Sequence, residues 1–420
     1  MMRTAGIEAM NVFAGSAYLD VGELATHRKL DMQRFSNLLM NEKAVALPYE
    51  DPITFGVNAA KPIIEKLNPA EKDRIELVIT ATESAFDFGK SMSTYFHHHL
   101  GLNRNCRLFE MKNACYSGTA ALQMGINFIL SQASPGAKAL IIATDISRFL
   151  LVEGKEASSM DWSFAEPSSG AGAVAMLVSE IPKVFQVDIG ANGYYGYEVM
   201  DTCRPVTDSE AGDSDLSLLS YLDCCEHSFL EYQKRVEGVD YKDTFQYLVF
   251  HTPFGGMVKG AHRNMMRKMT KVNPVEIEAD FDKRVIPGLT YCQRVGNIMG
   301  ATTALSLFST IANGDFDSSK RVGCFSYGSG CCSEFFSGLV SSEAHQQIQS
   351  FNFEEQLARR YKLGMEEYEQ LLRGSNAVKF GTRDVKLDWD FLPQSRKNQT
   401  GKKHLYLKEI KEYHREYEWV

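Results

Sequence analysis

Apolar runs punctuated by glycine occur twice along the chain, in the same order. In the first half a strand-like run is followed by a long apolar helix and then by a glycine turn that leads into another strand. The second half repeats these three kinds of element, which indicates duplicated β/α halves that pack together. The runs are 77–83, 115–130 and 169–178 in the first half, and 247–253, 300–305 and 329–340 in the second.

This pattern predicts an α/β protein in two halves. The first half is expected at residues 1–190, an insertion or connecting segment at 191–240, and the second half at 241–420. Within the insertion, a polar stretch at 201–215 precedes a helix that runs through Tyr232.

The two ends of the chain also carry structural signals. Residues 1–10 resemble a first strand rather than a secretory signal. Residues 405–419 mix aromatic and charged side chains, which favours an ordered edge element or a surface helix over a solvated tail. The polar segment 394–403 is predicted to be a loop.

Four chemically useful residues fall at the ends of the repeated elements. Glu83 and His251 follow apolar strands, whereas Cys115 and Asn297 precede apolar helices. Where two related halves meet, strand ends and helix starts converge on a shared cleft. The duplication therefore makes these four residues a candidate site. Each also has a structural alternative: a helix-capping carboxylate, a core histidine, a core cysteine and a turn asparagine.

Cys115 is the most informative position. The start of a helix carries unpaired N–H groups and the positive end of the peptide dipole, so a thiol there is expected to ionise readily. The helix from Thr119 to Leu130 looks buried on all sides, and Gly118 and Gly125 would allow a neighbouring element to approach closely. A cysteine at the head of such a helix is typical of a nucleophile on a rigid support.

Composition limits the function classes. A hydrophobic content of 44% supports a substantial core in a soluble globular protein. Lys and Arg number 45 against 53 Asp and Glu, which gives a net charge of −8, so broad attraction to nucleic acid or to membranes is not expected. The nine cysteines, with adjacent pairs, do not resemble a disulfide framework. A reducing cytoplasm is the expected location.

Two further motifs are weighed and set aside. The run His97–His99 lacks Cys or Asp partners at ligand spacing, so no metal site is predicted there. The glycine-rich stretch 168–172 lacks the G-x-G-x-x-G spacing of a dinucleotide site.

Six ordered motifs together resemble 3-hydroxy-3-methylglutaryl-CoA synthases of the thiolase superfamily, nearly from end to end. The resemblance implies a thiolase-like αβαβα layered fold built from two duplicated halves, usually dimeric. It also implies a condensation between an acetyl thioester and a β-ketoacyl thioester, without a cofactor of the protein's own. The motifs are Thr82-Glu-Ser84, Asn113-Ala-Cys-Tyr-Ser-Gly-Thr-Ala-Ala-Leu122, Glu166-Pro-Ser-Ser-Gly-Ala-Gly-Ala173, His251-Thr-Pro-Phe254, Val295-Gly-Asn297 and Phe325-Ser-Tyr-Gly-Ser-Gly330.

Carried over residue by residue, the resemblance gives three residues catalytic roles. Cys115 would hold the acetyl group covalently, and Glu83 would remove a methyl proton from it. His251 would hydrogen-bond the β-ketone of the second substrate and protonate the developing alkoxide. The motifs also imply substrate contacts from Asn297, Ser329, Tyr327, Pro253 and Gly170.

Three stretches depart from the primary-metabolism pattern and resemble the synthases of polyketide β-branching cassettes, of which the curacin A pathway has one. They are 31–40, 201–205 and 212–222. In that branch both the acetyl donor and the β-ketoacyl acceptor ride on acyl carrier proteins, which bring their own phosphopantetheine. The alternative is a primary-metabolism synthase that uses acetyl-CoA and acetoacetyl-CoA.

A group of basic residues offers a docking surface for an acidic carrier or for CoA phosphates. From the charge pattern alone, the two partners are nearly equally favoured, and a plain solvated helix face remains a third interpretation. The branch resemblance favours the carrier. The predicted contacts are Arg34, Lys259, Arg263 and Arg267, in a wider basic set with Arg28, Lys29, His262, Lys268 and Lys271.

Two other classes are less favoured. A ketoacyl synthase of the same superfamily would decarboxylate a malonyl thioester and would want a second catalytic histidine, whereas Glu83 supplies a base suited to an acetyl group. A non-enzymatic interaction subunit would be expected to have lost Cys115, Glu83 or His251, and all three are present.

Overall fold

The computed structural model describes residues 3–147, 162–205, 210–374, 378–399 and 403–420, apart from the side chains of 162–164. None of the helices in these ranges combines the length and the apolar character needed to cross a bilayer.

Seventeen strands and sixteen α-helices are described. The strands are β1 (Gly6–Phe13), β2 (Ala17–Asp20), β3 (Glu42–Val45), β4 (Ile75–Ala81), β5 (Arg107–Met111), β6 (Lys138–Ile146), β7 (Ala171–Ser179), β8 (Phe185–Gly196), β9 (Thr202–Cys203), β10 (Ala211–Gly212), β11 (Tyr247–Phe250), β12 (Lys320–Gly328), β13 (Cys332–Val340), β14 (Tyr361–Lys362), β15 (Val385–Lys386), β16 (Leu405–Lys411) and β17 (His414–Trp419). The helices are α1 (Val21–His27), α2 (Met32–Ser36), α3 (Pro52–Glu65), α4 (Pro69–Asp73), α5 (Ser93–His99), α6 (Ser117–Ser131), α7 (Trp162–Ser168), α8 (Ser214–Arg235), α9 (Gly255–Met269), α10 (Pro274–Arg284), α11 (Ile286–Val295), α12 (Thr302–Asn313), α13 (Ala344–Gln349), α14 (Phe353–Ala358), α15 (Met365–Gly374) and α16 (Pro393–Lys397).

Nine of the described strands share one sheet, in the order β11-β12-β13-β8-β1-β7-β6-β4-β5. In the first half, β4 and β6 are parallel, whereas β6–β7 and β7–β1 are antiparallel. In the second half, β11 and β12 are parallel, whereas β12–β13 and β13–β8 are antiparallel. The second half thus repeats the strand order and directions of the first, which is the duplication that the sequence predicts.

Two residue pairs join the halves of the sheet. Antiparallel β1 and β8 pair only at Gly6–Gln186 and Ile7–Phe185. Helix α6 packs on β4 to β7, α12 packs on β1, β11 and β12, and the two helices contact each other. A single apolar core contains residues of both sheet halves and both helices. The two helices therefore form the middle layer between the halves.

Two outer helical layers complete the five-layer αβαβα architecture. On the first half, α3 covers β1, β6 and β7 with its own apolar core. On the second half, α8 covers β8 and β13 and packs against α9, with another apolar core beneath them. The predicted thiolase-like layered fold is confirmed.

Some local predictions differ from the structure. Helix α6 is not buried on all sides, because Met124 is 42% exposed on one face. Residues 394–403 are not simply a loop, since α16 spans Pro393–Lys397, and 400–402 lie outside the described residues. The ordered edge element expected near the end is the β16–β17 hairpin, paired with β15. The division of the chain at residues 190 and 240 stays a prediction; β8 runs across the first of these positions.

Candidate active site

Cys115 lies in a tight turn between β5 and α6. Ala114 has a φ of 43°, a left-handed conformation that is strained for a residue with a Cβ. An isolated bridge pairs Asn113 with Cys115, and the helix begins at Ser117. This turn keeps the cysteine residue partly exposed rather than sealed in the core.

Glu83 follows the end of β4 and is held by a buried carboxylate of β6. Its backbone N–H donates to Asp145 Oδ1 at 2.7 Å, and the hydroxyls of Thr82 and Ser84 donate to the same oxygen. The other oxygen, Asp145 Oδ2, accepts from the N–H of Gly300 at 3.3 Å. Asp145, which sequence analysis missed, therefore links the Glu83 strand end to the second half.

Arg204 is a second functional candidate that sequence analysis did not single out, although it lies in one of the branch-like stretches. Its Nη1 donates to the backbone oxygen of Glu83 at 2.9 Å, and its Nη2 lies 3.5 Å from Glu83 Oε2. The same nitrogen lies 3.4 Å from Glu210 Oε2. Glu83 Oε1 is buried and has no hydrogen-bond partner among the described residues.

The electrostatics of this cluster correct one expectation. Burial, followed by the negative charge of Glu83, raises the pKa of the Cys115 thiol well above its ordinary value, and Arg204 opposes that shift. The prediction that the helix start makes this thiol ionise readily is therefore wrong, because desolvation and a neighbouring carboxylate outweigh the helix dipole. Burial and the charge of Glu83 likewise raise the pKa of Asp145 to about 7.

His251 follows β11 and is fully enclosed, with 1% of the residue exposed. Its backbone N–H donates to the carbonyl of Phe325 at 2.8 Å, and its backbone carbonyl accepts from the Tyr221 hydroxyl at 2.6 Å. These two hydrogen bonds hold the backbone of His251 in place at the strand end. Its Nδ1 is buried without a hydrogen-bond partner among the described residues. Burial lowers the pKa of the imidazole to about 3, so the ring is neutral at physiological pH. A neutral imidazole can donate a hydrogen bond to the ketone oxygen of a substrate without adding a charge to its surroundings.

The two halves touch closely around these residues. A Cβ on Gly118 would lie 2.0 Å from the carbonyl oxygen of Gly300, so only glycine allows α6 to approach the turn before α12 so closely. At the end of β12, Gly328 lies directly against the backbone of Asn113 and Tyr116, on either side of Cys115. The turn that carries the cysteine is therefore packed against the second half.

A buried serine connects the His251 strand to both central helices. Ser326 follows Phe325, the residue whose carbonyl accepts the N–H of His251. The hydroxyl of Thr119 in α6 donates to Ser326 at 2.8 Å, and that of Thr303 in α12 does so at 3.4 Å. The strand end that carries His251 thus adjoins the first turns of the helices that follow Cys115 and Asn297.

Asn297 lies at the entry to α12. Its Oδ1 accepts from the N–H of Met299 at 3.0 Å and from the hydroxyl of Thr302 at 2.9 Å. These bonds commit the amide oxygen to the turn, as the structural alternative expects. The amide nitrogen is the atom that could donate to an acceptor carbonyl.

The other predicted substrate contacts have different surroundings. The Tyr327 hydroxyl donates to Asp201 at 2.6 Å, and the ring is buried. Gly170 allows a close backbone contact, because a Cβ there would lie 2.2 Å from the carbonyl oxygen of Val295. Pro253 and Ser329 are half-buried. Tyr327 and Gly170 therefore have clear structural roles, whereas Pro253 and Ser329 keep accessible surface.

The predicted basic surface is smaller than its sequence suggests. Lys259 and Arg263 of α9 both pair with Glu278 of α10, and these two cations lower the pKa of that carboxyl to about 2. His262 is buried and lies 2.9 Å from Asp280. Lys268 pairs with Glu226 of α8. Intramolecular pairing therefore uses much of the charge of α9.

The histidine run lies on α5, where His97 Nε2 hydrogen-bonds the carbonyl of Asn103 at 2.8 Å. Among the residues that the structure describes, no group of three or more His, Cys, Asp or Glu side chains could hold a metal ion.

Two duplicated α/β halves that meet around a cysteine-bearing turn define the class of thiolase-like condensing enzymes. Within that class, the chain belongs to the hydroxymethylglutaryl-coenzyme A synthase family. The model of the N-terminal part of the family matches residues 1–182, and the model of the C-terminal part matches residues 261–419. The family resemblance found in the sequence is confirmed.

Relatives of known name support the same assignment. The chain is 69% identical, over the full length of both proteins, to a polyketide biosynthesis 3-hydroxy-3-methylglutaryl-ACP synthase, PksG, of Bacillus subtilis. It is 31% identical to a hydroxymethylglutaryl-CoA synthase of Enterococcus faecalis, over 88% of this chain and 91% of that one.

Solved structures give the same order of similarity. The HMG synthase of the curacin biosynthetic pathway, in complex with its apo donor ACP, is similar with a TM-score of 0.95 and 64% identity over the full length of both chains. MvaS in complex with 3-hydroxy-3-methylglutaryl coenzyme A is similar with a TM-score of 0.85 and 28% identity, also over both full lengths.

Proposed function

We propose that this protein condenses an acetyl group from an acetyl-acyl carrier protein with a β-ketoacyl-carrier-protein polyketide intermediate, and so installs a β-branch. The observation that carries the proposal is the full-length identity of 69% to an HMG-ACP synthase, against 31% to a synthase named for CoA. The curacin pathway synthase has been solved with its acetyl donor ACP, which supports a carrier as the donor here.

Cys115 begins the reaction. Its sulfur attacks the acetyl thioester and forms a new thioester, while the thiol proton leaves with the carrier's sulfur. Because burial and Glu83 hold this thiol protonated at rest, the proton is transferred during the attack rather than lost beforehand.

Glu83 then removes a proton from the methyl group of acetyl-Cys115. The buried Oε1, which no described residue hydrogen-bonds, is the oxygen available for this step. The enolate carbon attacks the β-ketone of the acceptor, and a carbon–carbon bond forms. His251 hydrogen-bonds the ketone oxygen as negative charge develops there, and the proton that Glu83 took from the methyl group is transferred to the alkoxide, which leaves Glu83 as a carboxylate again.

Asn297 and Ser329 are proposed to orient the acceptor carbonyls. Water then hydrolyses the Cys115 thioester and frees a carrier-bound product with a 3-hydroxy-3-carboxymethyl group. No cofactor of the protein's own takes part in these steps, since the phosphopantetheine arrives on the carrier.

The carrier is proposed to dock where α2 meets α9. The N–H of Gly256 in α9 donates to the carbonyl of Leu38, just after α2, at 3.1 Å. Arg34 of α2 and Arg267 of α9 therefore belong to adjoining helices and are the first candidates for contact with an acidic partner. Lys259 and Arg263 contribute less to the attraction, because Glu278 pairs with both.

A homodimer is proposed to form at the outer edge of β5. This strand ends the nine-stranded sheet, and its Phe109 is 38% exposed. The exposed Met124 of α6 belongs to the helix that packs on β5. An exposed sheet edge with apolar side chains is a surface that a second copy can cover symmetrically. Phe109→Asp should give monomers in light scattering, whereas Ile181→Asp, at another exposed apolar residue, should not.

A cytoplasmic location is proposed as well. All nine cysteines are free thiols in the structure, as expected in a reducing compartment.

The decisive experiment compares donors. Acetylation of Cys115, followed by intact-protein mass spectrometry, should be far more efficient from acetyl-carrier than from acetyl-CoA, and acetoacetyl-carrier should then be condensed. Equal efficiency from both donors would favour the primary-metabolism alternative. Arg267→Glu should slow loading from the carrier only, and Lys234→Glu on the exposed face of α8 is the matched control.

A further inference from the structure

Arg204 makes contacts that no family motif of the sequence accounts for. It contacts Glu83 at two places. Its Nη1 donates to the backbone carbonyl at 2.9 Å, and its Nη2 lies 3.5 Å from the carboxylate. The side chains of Arg204 and Glu83 are only 22% and 14% exposed, so bulk water screens this pair weakly. Such contacts fix the strand end and the carboxylate together.

The segment that carries Arg204 is anchored to the second half. Asp201 accepts from the Tyr327 hydroxyl at 2.6 Å and from the N–H of Gly330 at 2.8 Å. Between Asp201 and Arg204 runs β9, which pairs with β10. The guanidinium therefore contacts Glu83, the proposed catalytic base in the first half, from a segment that is hydrogen-bonded to the second half.

The charge balance around Glu83 depends on this cation. Asp145 binds the N–H of Glu83, and Glu210 competes for the same Nη2 of Arg204. With the guanidinium in place, the pKa of Asp145 is already raised to about 7. Without that cation, the three neighbouring carboxylates would repel each other more strongly, and the cluster would take up a proton more readily. A protonated Glu83 could not remove a methyl proton.

We propose that Arg204 is a positioning residue of the condensation: its guanidinium holds Glu83 in place through Oε2 and the backbone carbonyl, and leaves Oε1 as the oxygen that takes the methyl proton. This role rests on the proposed function, because it assumes that Glu83 is the base that acts on acetyl-Cys115.

The consequence is a pH dependence with a defined sign. Loss of Arg204 removes a stabilising positive charge, so the carboxylates take up a proton more readily and the acidic limb of the proton-abstraction rate should move to higher pH. Loss of Glu210 removes a competitor for the guanidinium, so the same limb should move to lower pH. A merely structural role would not produce opposite shifts in the two variants.

Deuterium exchange measures this step in isolation. The enzyme is loaded at Cys115 with trideuteroacetyl from the carrier, and the loss of deuterium from the methyl group is followed by mass spectrometry without acceptor at several pH values. Arg204→Gln should lose more exchange at pH 6 than at pH 8.5, and a limb shifted by about one pH unit would cause a loss of at most about tenfold at low pH. Arg204→Lys should keep the pH dependence of the parent's exchange rate but reach a lower maximum rate. Lysine keeps the positive charge but cannot contact the backbone carbonyl and the carboxylate of Glu83 at the same time.

Glu210→Gln tests the opposite shift, and Arg321→Gln is the control. Arg321 pairs with Asp188 at 2.9 Å on β12 and β8, away from Glu83, and its loss should leave the exchange profile unchanged. Should Arg204→Gln fail to fold, the Lys and Glu210 variants still test the sign of the effect.

Three results would overturn the inference in different ways. A parent enzyme that does not load acetyl at Cys115 overturns the proposed function and the role of Arg204 together. A parent that loads but does not exchange deuterium contradicts the role of Glu83 as base, and with it that of Arg204. Normal exchange in the parent, with unchanged profiles in Arg204→Gln and Glu210→Gln, removes the role of Arg204 alone.

Discussion

Strand β4 in the first half and β11 in the second occupy equivalent places in the duplicated sheet, but they end in different environments. Glu83 follows β4 into a cluster of charges that includes Asp145 and Arg204. His251 follows β11 and is buried, and this burial is the cause of its lowered pKa. One strand end is therefore suited to taking a proton from carbon, and the other to stabilising an oxygen without introducing a charge.

The halves differ in a second respect. In the first half, β5 leads directly into the Cys115 turn. Within the described residues, the second half has no strand at the place of β5, and Asn297 follows α11 instead. The duplication thus supplies similar backbone positions for a nucleophile and an amide. The two positions differ in the element that precedes them: a strand leads to Cys115, the proposed acyl carrier, and a helix leads to Asn297, the proposed contact of the acceptor.

The largest expected effect comes from the residue that has no chemical counterpart in the second half. Cys115→Ser should reduce acetyl loading by about a thousandfold or more, since a hydroxyl is a much weaker nucleophile than a thiol. Cys106→Ser is the matched control in the same half, where the side chain is also partly buried. Intact-protein mass spectrometry after incubation with acetyl-carrier measures both. Equal loading of the two variants would contradict the assignment of Cys115.

Glu83→Gln separates loading from condensation. The amide keeps the size of the side chain but cannot remove a proton, so we expect normal acetylation of Cys115 and a condensation rate about 10²–10⁴-fold lower. Single-turnover assays with preloaded enzyme and acetoacetyl-carrier measure the second step. If the variant condenses as fast as the parent, Glu83 at the end of β4 is not the residue that takes the methyl proton.

A third test concerns the contact between the halves. Gly118→Ala should destabilise the protein by about 3 kcal/mol or more, because its Cβ would meet the backbone oxygen of Gly300 at 2.0 Å. Gly125→Ala lies on the same helix, but its Cβ would meet the flexible end of Ile141 at 3.0 Å, and we expect a change within about 1 kcal/mol. Urea unfolding measures both. Equal free energies of unfolding for the two variants would show that the close contact between α6 and the turn before α12 is not needed for stability.

Sequence patterns predicted the duplication and the order of the main elements because apolar periodicity reflects burial directly. The strands that end before Glu83 and His251 and the helices after Cys115 and Asn297 were all found in this way. Sequence reasoning also placed these residues at the ends of elements, where a site can form. It could not predict that Met124 faces outward, because an apolar side chain on a helix gives no sign of which face is covered.

The electrostatics of the site could not be predicted from local sequence. Asp145 and Arg204 influence Cys115 and Glu83 only because the fold brings distant segments together. A basic run on α9 was visible, but its pairing with Glu278 on α10 was not. The departure of 201–205 from the primary-metabolism pattern was the available signal for Arg204, although the pattern did not show where its side chain would point.

The smallest expected effect concerns the strand end that carries the neutral His251, and it appears in the free energy of unfolding rather than in activity. The pKa of His251 is about 3 in the folded protein and about 6.5 in an unfolded chain, so only the unfolded state binds this proton between those values. Stability is therefore lost as pH falls through 6.5, and this one group should account for about 2 kcal/mol between pH 7 and pH 5. Urea unfolding at the two pH values should show a loss smaller by that amount in His251→Gln than in the parent. A parent and a His251→Gln variant with the same loss would mean that His251 is charged in the folded protein, and the distinction between a charged and a neutral strand end would then fail.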